Sequence, residues 1–137
     1  MKLKKVLLLS LLSFNLIGVG YAQVAQEKEQ FEKANQLALD QNYSAALPIF
    51  ENLAEQGNPL AQWNLAALYD QMDNQQKATH WYQVRAEKGD PLAQMILGTR
   101  YYHGQGVEKE LEKARFWLKK ACDQGFQQSC ENLNKIK

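Results

Sequence analysis

Ala54–Gln62 reads AEQGNPLAQ, and Ala86–Gln94, 32 residues on, reads AEKGDPLAQ. A degraded third copy, CDQGFQQSC, spans Cys122–Cys130, a further 36 residues along. Self-similarity at a period of 20–50 residues marks a repeat architecture, in which one unit cannot bury its apolar face alone and must stack on the next. Each copy is built around a helix stop. Gly57, Gly89 and Gly125 end polar helical runs, and glycine takes the left-handed conformation that closes a helix. Asn58 and Asp90 can cap the helix that follows, and Pro59 and Pro91 suit its first position, where no backbone N–H is needed. One helix therefore stops and another starts within about two residues, which makes a sharp helix–turn–helix.

Between the turns the apolar spacing runs in threes and fours, as in Leu60, Trp63, Ala66, Ala67 and Tyr69, and again in Leu92, Met95, Ile96, Leu97 and Tyr101. Ala46, Ala78 and Ala114 hold one repeated position, where small side chains let paired helices approach closely. Ile49, Trp81 and Trp117 hold another, between hairpins. The pattern predicts an all-α fold, an α-solenoid of stacked antiparallel hairpins. Its seven helices are expected over 26–41, 43–56, 59–71, 74–88, 91–103, 108–124 and 126–136. Pro48 is expected to bend the second helix or to mark a late start near Ser44. The polar last helix reads as a cap.

The first 22 residues form a leader pattern. Lys2, Lys4 and Lys5 precede an apolar run from Val6 to Val19, and Gly20-Tyr21-Ala22 places small residues at the −3 and −1 positions of a cleavage site. The run is short and broken for a span that needs about 20 apolar residues. The expected division is a signal peptide over 1–22 and one repeat domain over 23–137, with units near 31–57, 58–89 and 90–125 and a capping helix at 126–136. Export to the periplasm or beyond follows, with no stable membrane insertion after cleavage. No cysteine lies near the cleavage site, which points away from lipoprotein processing. Cleavage leaves 13 basic against 15 acidic residues, a net charge of about −2. No basic stripe remains, which argues against a nucleic-acid partner.

The third unit resembles Sel1-like repeats, relatives of tetratricopeptide repeats. It carries Leu97-Gly98, Tyr101-Tyr102, Gly104-Gln105-Gly106-Val107, Ala114, Trp117 and Lys120-Ala121. The second unit has Leu65-Ala66, Tyr69, Ala78 and Trp81-Tyr82 but lacks the Gly-x-Gly-Val loop, with Asp70–Gln76 in its place. The first matches at Ala34, Tyr43, Ala46 and Leu53–Gly57. The likeness covers about residues 31–130. It implies a scaffold whose first helices line a concave face. On that face the outward positions are Trp63, Ala67, Asp70 and Gln71, then Met95, Thr99, Tyr102 and His103, and in the first unit Phe31, Asn35 and Ala38. Aromatics, Met and hydrogen-bonding groups in that mixture suit a protein or peptide ligand.

Cys122 and Cys130 would stand about 12 Å apart along one continuous helix, but the turn at Gly125 folds one against the other. An exported chain meets an oxidising compartment, and the spacing resembles the cysteine-rich subgroup of Sel1-like proteins, so a structural disulfide is expected. No Cys-x-x-Cys or His cluster supports a metal or redox role, and neither His80 nor His103 has a companion at ligand spacing. Glu108, Glu110 and Glu112 read as a solvated helix start. No Gly-x-Ser-x-Gly, phosphate loop or Ser-x-x-Lys motif is present. The expectation is a chain without catalytic residues, metal or cofactor. Envelope assembly, regulation of cell-wall enzymes, host interaction and toxin immunity are the contexts the resemblance implies. Two alternatives remain. One is weak β-lactam binding or hydrolysis, as attributed to some cysteine-rich Sel1-like proteins. The other is peptidoglycan binding through Trp63 and Tyr102.

Overall fold

The computed structural model describes the backbone of residues 2–136 and the side chains of residues 18–136. Within those residues there are seven helices and no strand: α1 (Lys2–Leu39), α2 (Tyr43–Glu55), α3 (Pro59–Gln71), α4 (Gln75–Glu87), α5 (Pro91–His103), α6 (Leu111–Asp123) and α7 (Gln127–Lys135). Consecutive helices pack as hairpins, α1 on α2, α3 on α4 and α5 on α6, and each hairpin leans on the next through α2–α3 and α4–α5. α7 closes the stack against α6.

The turns form as their residues dictate. Asn58 accepts from the N–H groups of Leu60 and Ala61 at 3.1 and 3.0 Å, and Asp90 accepts from those of Leu92 and Ala93 at 3.1 and 3.3 Å. These side chains satisfy donors that a helix start leaves free. The chain also turns within the units at Gln41 and Asp73, two left-handed positions without glycine that the sequence did not flag.

Two boundaries differ from expectation, and Pro48 does not delay the start of α2. α1 begins at Lys2 instead of 26, because no proline interrupts the run from leader to repeat. The side chains of the expected leader, apart from residues 18–22, lie outside the described residues. Val19, Tyr21 and Val24 project from α1 and stay largely exposed, so this part of the helix adds nothing to the core. Pro48 lies inside α2, which starts at Tyr43. α6 starts at Leu111, later than 108, so Glu108 sits in the preceding loop and only Glu112 occupies the first turn. The Glu110 N–H is drawn instead to the Tyr101 carbonyl, 3.0 Å away.

Ala46, Ala78 and Ala114 are fully buried, as are Ala34 and Ala66 on the facing helices. In the third hairpin the facing position is Gly98, where an added Cβ would stand 2.7 Å from Leu118 Cγ. One core centres on Phe50, Leu53, Leu65 and Tyr69, with Ile49 and Trp81 against it. A second centres on Leu97, Tyr101 and Ala114, with Trp117 against it. Trp63 packs on both and joins them.

Across each turn one side chain ties the two helices together. Gln62 Nε2 donates to the Ala54 carbonyl at 3.0 Å, and Gln94 Nε2 to the Ala86 carbonyl at 3.1 Å. In the third turn Cys122 and Cys130 form a disulfide, with their Cα atoms 4.8 Å apart.

Candidate functional site

The face presented by α1, α3, α5 and α7 has three seams, one between each neighbouring pair. The α1/α3 seam is open. Asn35, Ala38, Asn64, Ala67 and Gln71 line a hollow of about 160 Å³ over Phe50 and Leu68. Asn64 Nδ2 donates to Asn35 Oδ1 at 2.6 Å across it. The α5/α7 seam is larger, about 270 Å³, with Thr99, Tyr102, His103, Asn132 and Lys135 around Leu118 and Ile136. Tyr102 and His103 meet edge to face with centroids 4.9 Å apart, and the Lys109 ammonium lies 5.6 Å from the Tyr102 ring centroid.

The middle seam, α3/α5, is closed by a charge. Arg100, nearly buried, donates through Nη2 to Asp70 Oδ1 and Oδ2 at 2.6 and 2.5 Å, and through Nη1 to Thr79 Oγ1 at 3.0 Å. Its guanidinium carbon stands 4.8 Å from the Tyr82 ring centroid. The Tyr82 hydroxyl donates to Asp70 Oδ2 at 3.1 Å. Burial, then the adjacent Asp70 carboxylate, push that hydroxyl up to about 12. The Thr79 hydroxyl also lies within hydrogen-bond reach of the Gln75 and Gln105 carbonyls, at 2.8 and 3.0 Å. Through this contact the Gly104–Val107 loop of the third unit is fastened to the start of α4 in the second.

The structure therefore brings together Asn35, Ala38, Ala67 and Gln71 in one seam and Thr99, Tyr102 and His103 in another. It places the remaining candidates elsewhere. Phe31 packs edge-on against Phe50, centroids 6.0 Å apart, in the core. Trp63 gives its indole N–H to Asp90 Oδ2 at 3.0 Å and meets Tyr82 edge to face at 5.5 Å. Asp70 is held by Arg100. Met95 is half-buried, and its carbonyl accepts from the Thr99 hydroxyl at 2.9 Å.

Asp90 is a junction. It caps α5 through Oδ1 and receives both Trp63 and Arg85 Nη2 through Oδ2, the latter at 3.0 Å. Burial works against its charge, but the hydrogen bonds from Arg85, Trp63 and the Ala93 N–H outweigh burial and hold its carboxyl below the ordinary 3.8.

The sequence reading missed Arg100. Its signal was present: Ala93, Leu97, Arg100 and Tyr101 follow the i, i+4, i+7, i+8 rhythm of a buried stripe. His80 lies on the other face, edge to face with Trp81 at 5.3 Å, near Tyr69, whose hydroxyl donates to Glu51. Among the described residues no group of three or more His, Cys, Asp or Glu side chains converges as a metal site would require.

The chain matches the family model described as Sel1 repeat twice, over residues 59–90 and 91–126. It is similar to the solved structure of a Sel1 repeat protein from Oxalobacter formigenes, with 30% identity and a TM-score of 0.65, covering 79% of this chain and 87% of that one. It is also similar to a protective antigen present in uropathogenic Escherichia coli strains, which displays an SLR fold. Identity there is 29% and the TM-score 0.64, over 84% of this chain. The match spans only 26% of that longer antigen. No curated protein matches the chain.

Proposed function

Because this chain belongs to the Sel1 repeat family, we propose that it is a protein-interaction scaffold that carries out no chemistry and takes a protein or peptide segment on the face of its first helices. The observation that carries this reading is the division of that face. Two seams are open hollows lined by polar and apolar groups together, while the seam between them is sealed by Asp70 and Arg100. Preformed hollows on a rigid stack suit docking of an extended segment, since little ordering is required on binding. The leader pattern and the Cys122–Cys130 bridge support a place outside the cytoplasm, in the periplasm or beyond. Among the described residues no helix is long and apolar enough to cross a membrane.

The test is site-specific photocrosslinking in the source cell, using the full chain. A photoreactive residue at Ala67 or Thr99 should give one discrete adduct, and one at exposed Phe116 on α6 should not. Adducts at Phe116 alone, or at none of the three, would sink the reading.

A further inference from the structure

The two open seams are the same site, two units apart. The repeat offsets carry Asn35 to Thr99, Ala38 to Tyr102 and Phe50 to Leu118. They carry Asn64 to Asn132, Ala67 to Lys135 and Leu68 to Ile136. The middle seam has its own version of this set, in which Asp70 stands for Ala38, Tyr82 for Phe50 and Arg100 for Leu68. There an ion pair fills what would be the hollow. The face thus presents two like hollows flanking a plug.

Their chemistry has diverged. The α1/α3 seam is small, floored by Phe50 and Leu68, and rimmed by the amides of Asn35, Asn64 and Gln71 without a charge. The α5/α7 seam is larger, floored by Leu118 and Ile136, and rimmed by Lys135, His103 and Tyr102, with no carboxylate among the described residues that line it. The Lys109 ammonium beside Tyr102 adds a second positive charge at its edge. Apolar floor and cationic rim complement an apolar side chain next to a carboxylate. The two seams lie two first-helix widths apart, and at about 10 Å per helix with its side chains that is roughly 20 Å, the reach of about six residues of extended chain.

We propose that the ligand is an extended segment of a partner protein with two anchors about six residues apart. One is an apolar side chain flanked by an acidic residue, seated between α5 and α7. The other is a small uncharged polar side chain, seated between α1 and α3. This rests on the reading above that the first-helix face takes a protein segment.

The probe is a displayed library of random twelve-residue peptides, selected against the full disulfide-bonded chain. Winning peptides are then measured against a Lys109→Glu/Lys135→Glu double variant, against Ala67→Leu, which fills the smaller seam, and against Lys88→Glu as a charge control in the turn after α4. All these positions are exposed, so each variant should keep the parent's circular dichroism and melting midpoint. Support requires selected peptides that pair an apolar with an acidic residue and carry the second anchor. Their affinity should fall about tenfold or more in the double lysine variant, several-fold in Ala67→Leu, and not in Lys88→Glu. Peptides without the acidic residue, indifferent to the lysine reversal yet weakened by Ala67→Leu, would overturn the two-anchor inference and leave the docking face standing. No enrichment, or binding indifferent to every seam variant, would overturn both.

Discussion

Cys130 occupies in the third turn the place that Gln94 holds in the second. The offset of 36 residues carries Gln94 to Cys130 and Ala86 to Cys122, and the offset of 32 carries Gln94 back to Gln62 and Ala86 to Ala54. One geometric task, tying the end of one helix to the start of the next, is done twice by an amide on a carbonyl and once by a covalent bond. The covalent version falls at the start of α7, the shortest helix of the stack. A helix of nine residues, partnered chiefly by α6, would otherwise fray.

The substitution pair Cys122→Ala/Cys130→Gln should convert the third turn into the chemistry of the first two. Loss of so short a closed loop costs about 2–3 kcal/mol, and the new amide–carbonyl bond returns about 1 kcal/mol. Urea midpoints are expected in the order parent, Ala/Gln, Ala/Ala. Hydrogen exchange should assign the loss to α7 ahead of α1–α4. Intact mass of the parent should show no alkylation until reduction.

Removing Asp70 leaves the Arg100 charge nearly enclosed without its partner. Asp70→Ala should cost about 2–4 kcal/mol, the range for orphaning a buried partner, tempered by the partial exposure of Asp70. Replacing both with apolar residues, Asp70→Leu with Arg100→Met, should recover most of that loss. A double-mutant cycle in urea checks it, and additive losses would refute the coupling.

Asp90 gives the stack an acid-sensitive joint. Its carboxyl is held below the ordinary 3.8, so its contribution is whole above that pH and drains as pH falls below it toward the depressed folded value. Asp90→Asn keeps the cap, as Asn58 shows, but gives up the charge facing Arg85. The variant should melt lower than the parent at neutral pH, and the gap should narrow below 3.8. A constant gap from neutral to strongly acid pH would show the charge to be idle.

Two glycines are required by contact. At Gly98 a Cβ would meet Leu118 Cγ at 2.7 Å and the Ala114 carbonyl at 3.0 Å, so Gly98→Ala must push α5 from α6. At Gly106, with φ of +66°, it would meet the Gln75 carbonyl at 2.1 Å. Gly98→Ala should cost about 1–3 kcal/mol. Gly106→Ala should cost more, because strain adds to the clash. Loss of the Gln105–Thr79 contact should show as faster amide exchange at the start of α4.

Helix ends were legible wherever their chemistry is local. Gly57-Asn58-Pro59 and Gly89-Asp90-Pro91 each write a stop, a cap and a start in three letters, and the structure places α3 and α5 accordingly. The left-handed turns at Gln41 and Asp73 lack the glycine that marks such a stop, although the Asn42 N–H to Leu37 carbonyl and Asn74 N–H to Tyr69 carbonyl bonds close them as the Asn58 N–H to Leu53 carbonyl bond closes the turn at Gly57. At the site, register alone placed Asn35, Ala67, Thr99 and Tyr102 on one face. It could not reveal that Trp63 is drawn to Asp90, 27 positions later, or that Arg100 reaches 30 positions back to Asp70. Nor could it show that α7 supplies one wall of the larger seam. Those contacts depend on how far each hairpin leans on the next.

The fastening of Arg100 to Asp70 and Thr79 bears on how such a chain can change length over generations. Excising residues 58–89 would set Ala38 where Asp70 stands and Leu47 where Thr79 stands, leaving a guanidinium against hydrocarbon. Duplicating the same segment would hand Arg100 a fresh Asp and Thr, but it would set the copied Leu68 against the first Asp70 and leave a carboxylate facing hydrocarbon. By this lock, adding or removing one whole middle repeat strands a charge at the new junction, so the length of the stack is guarded by one pair of side chains.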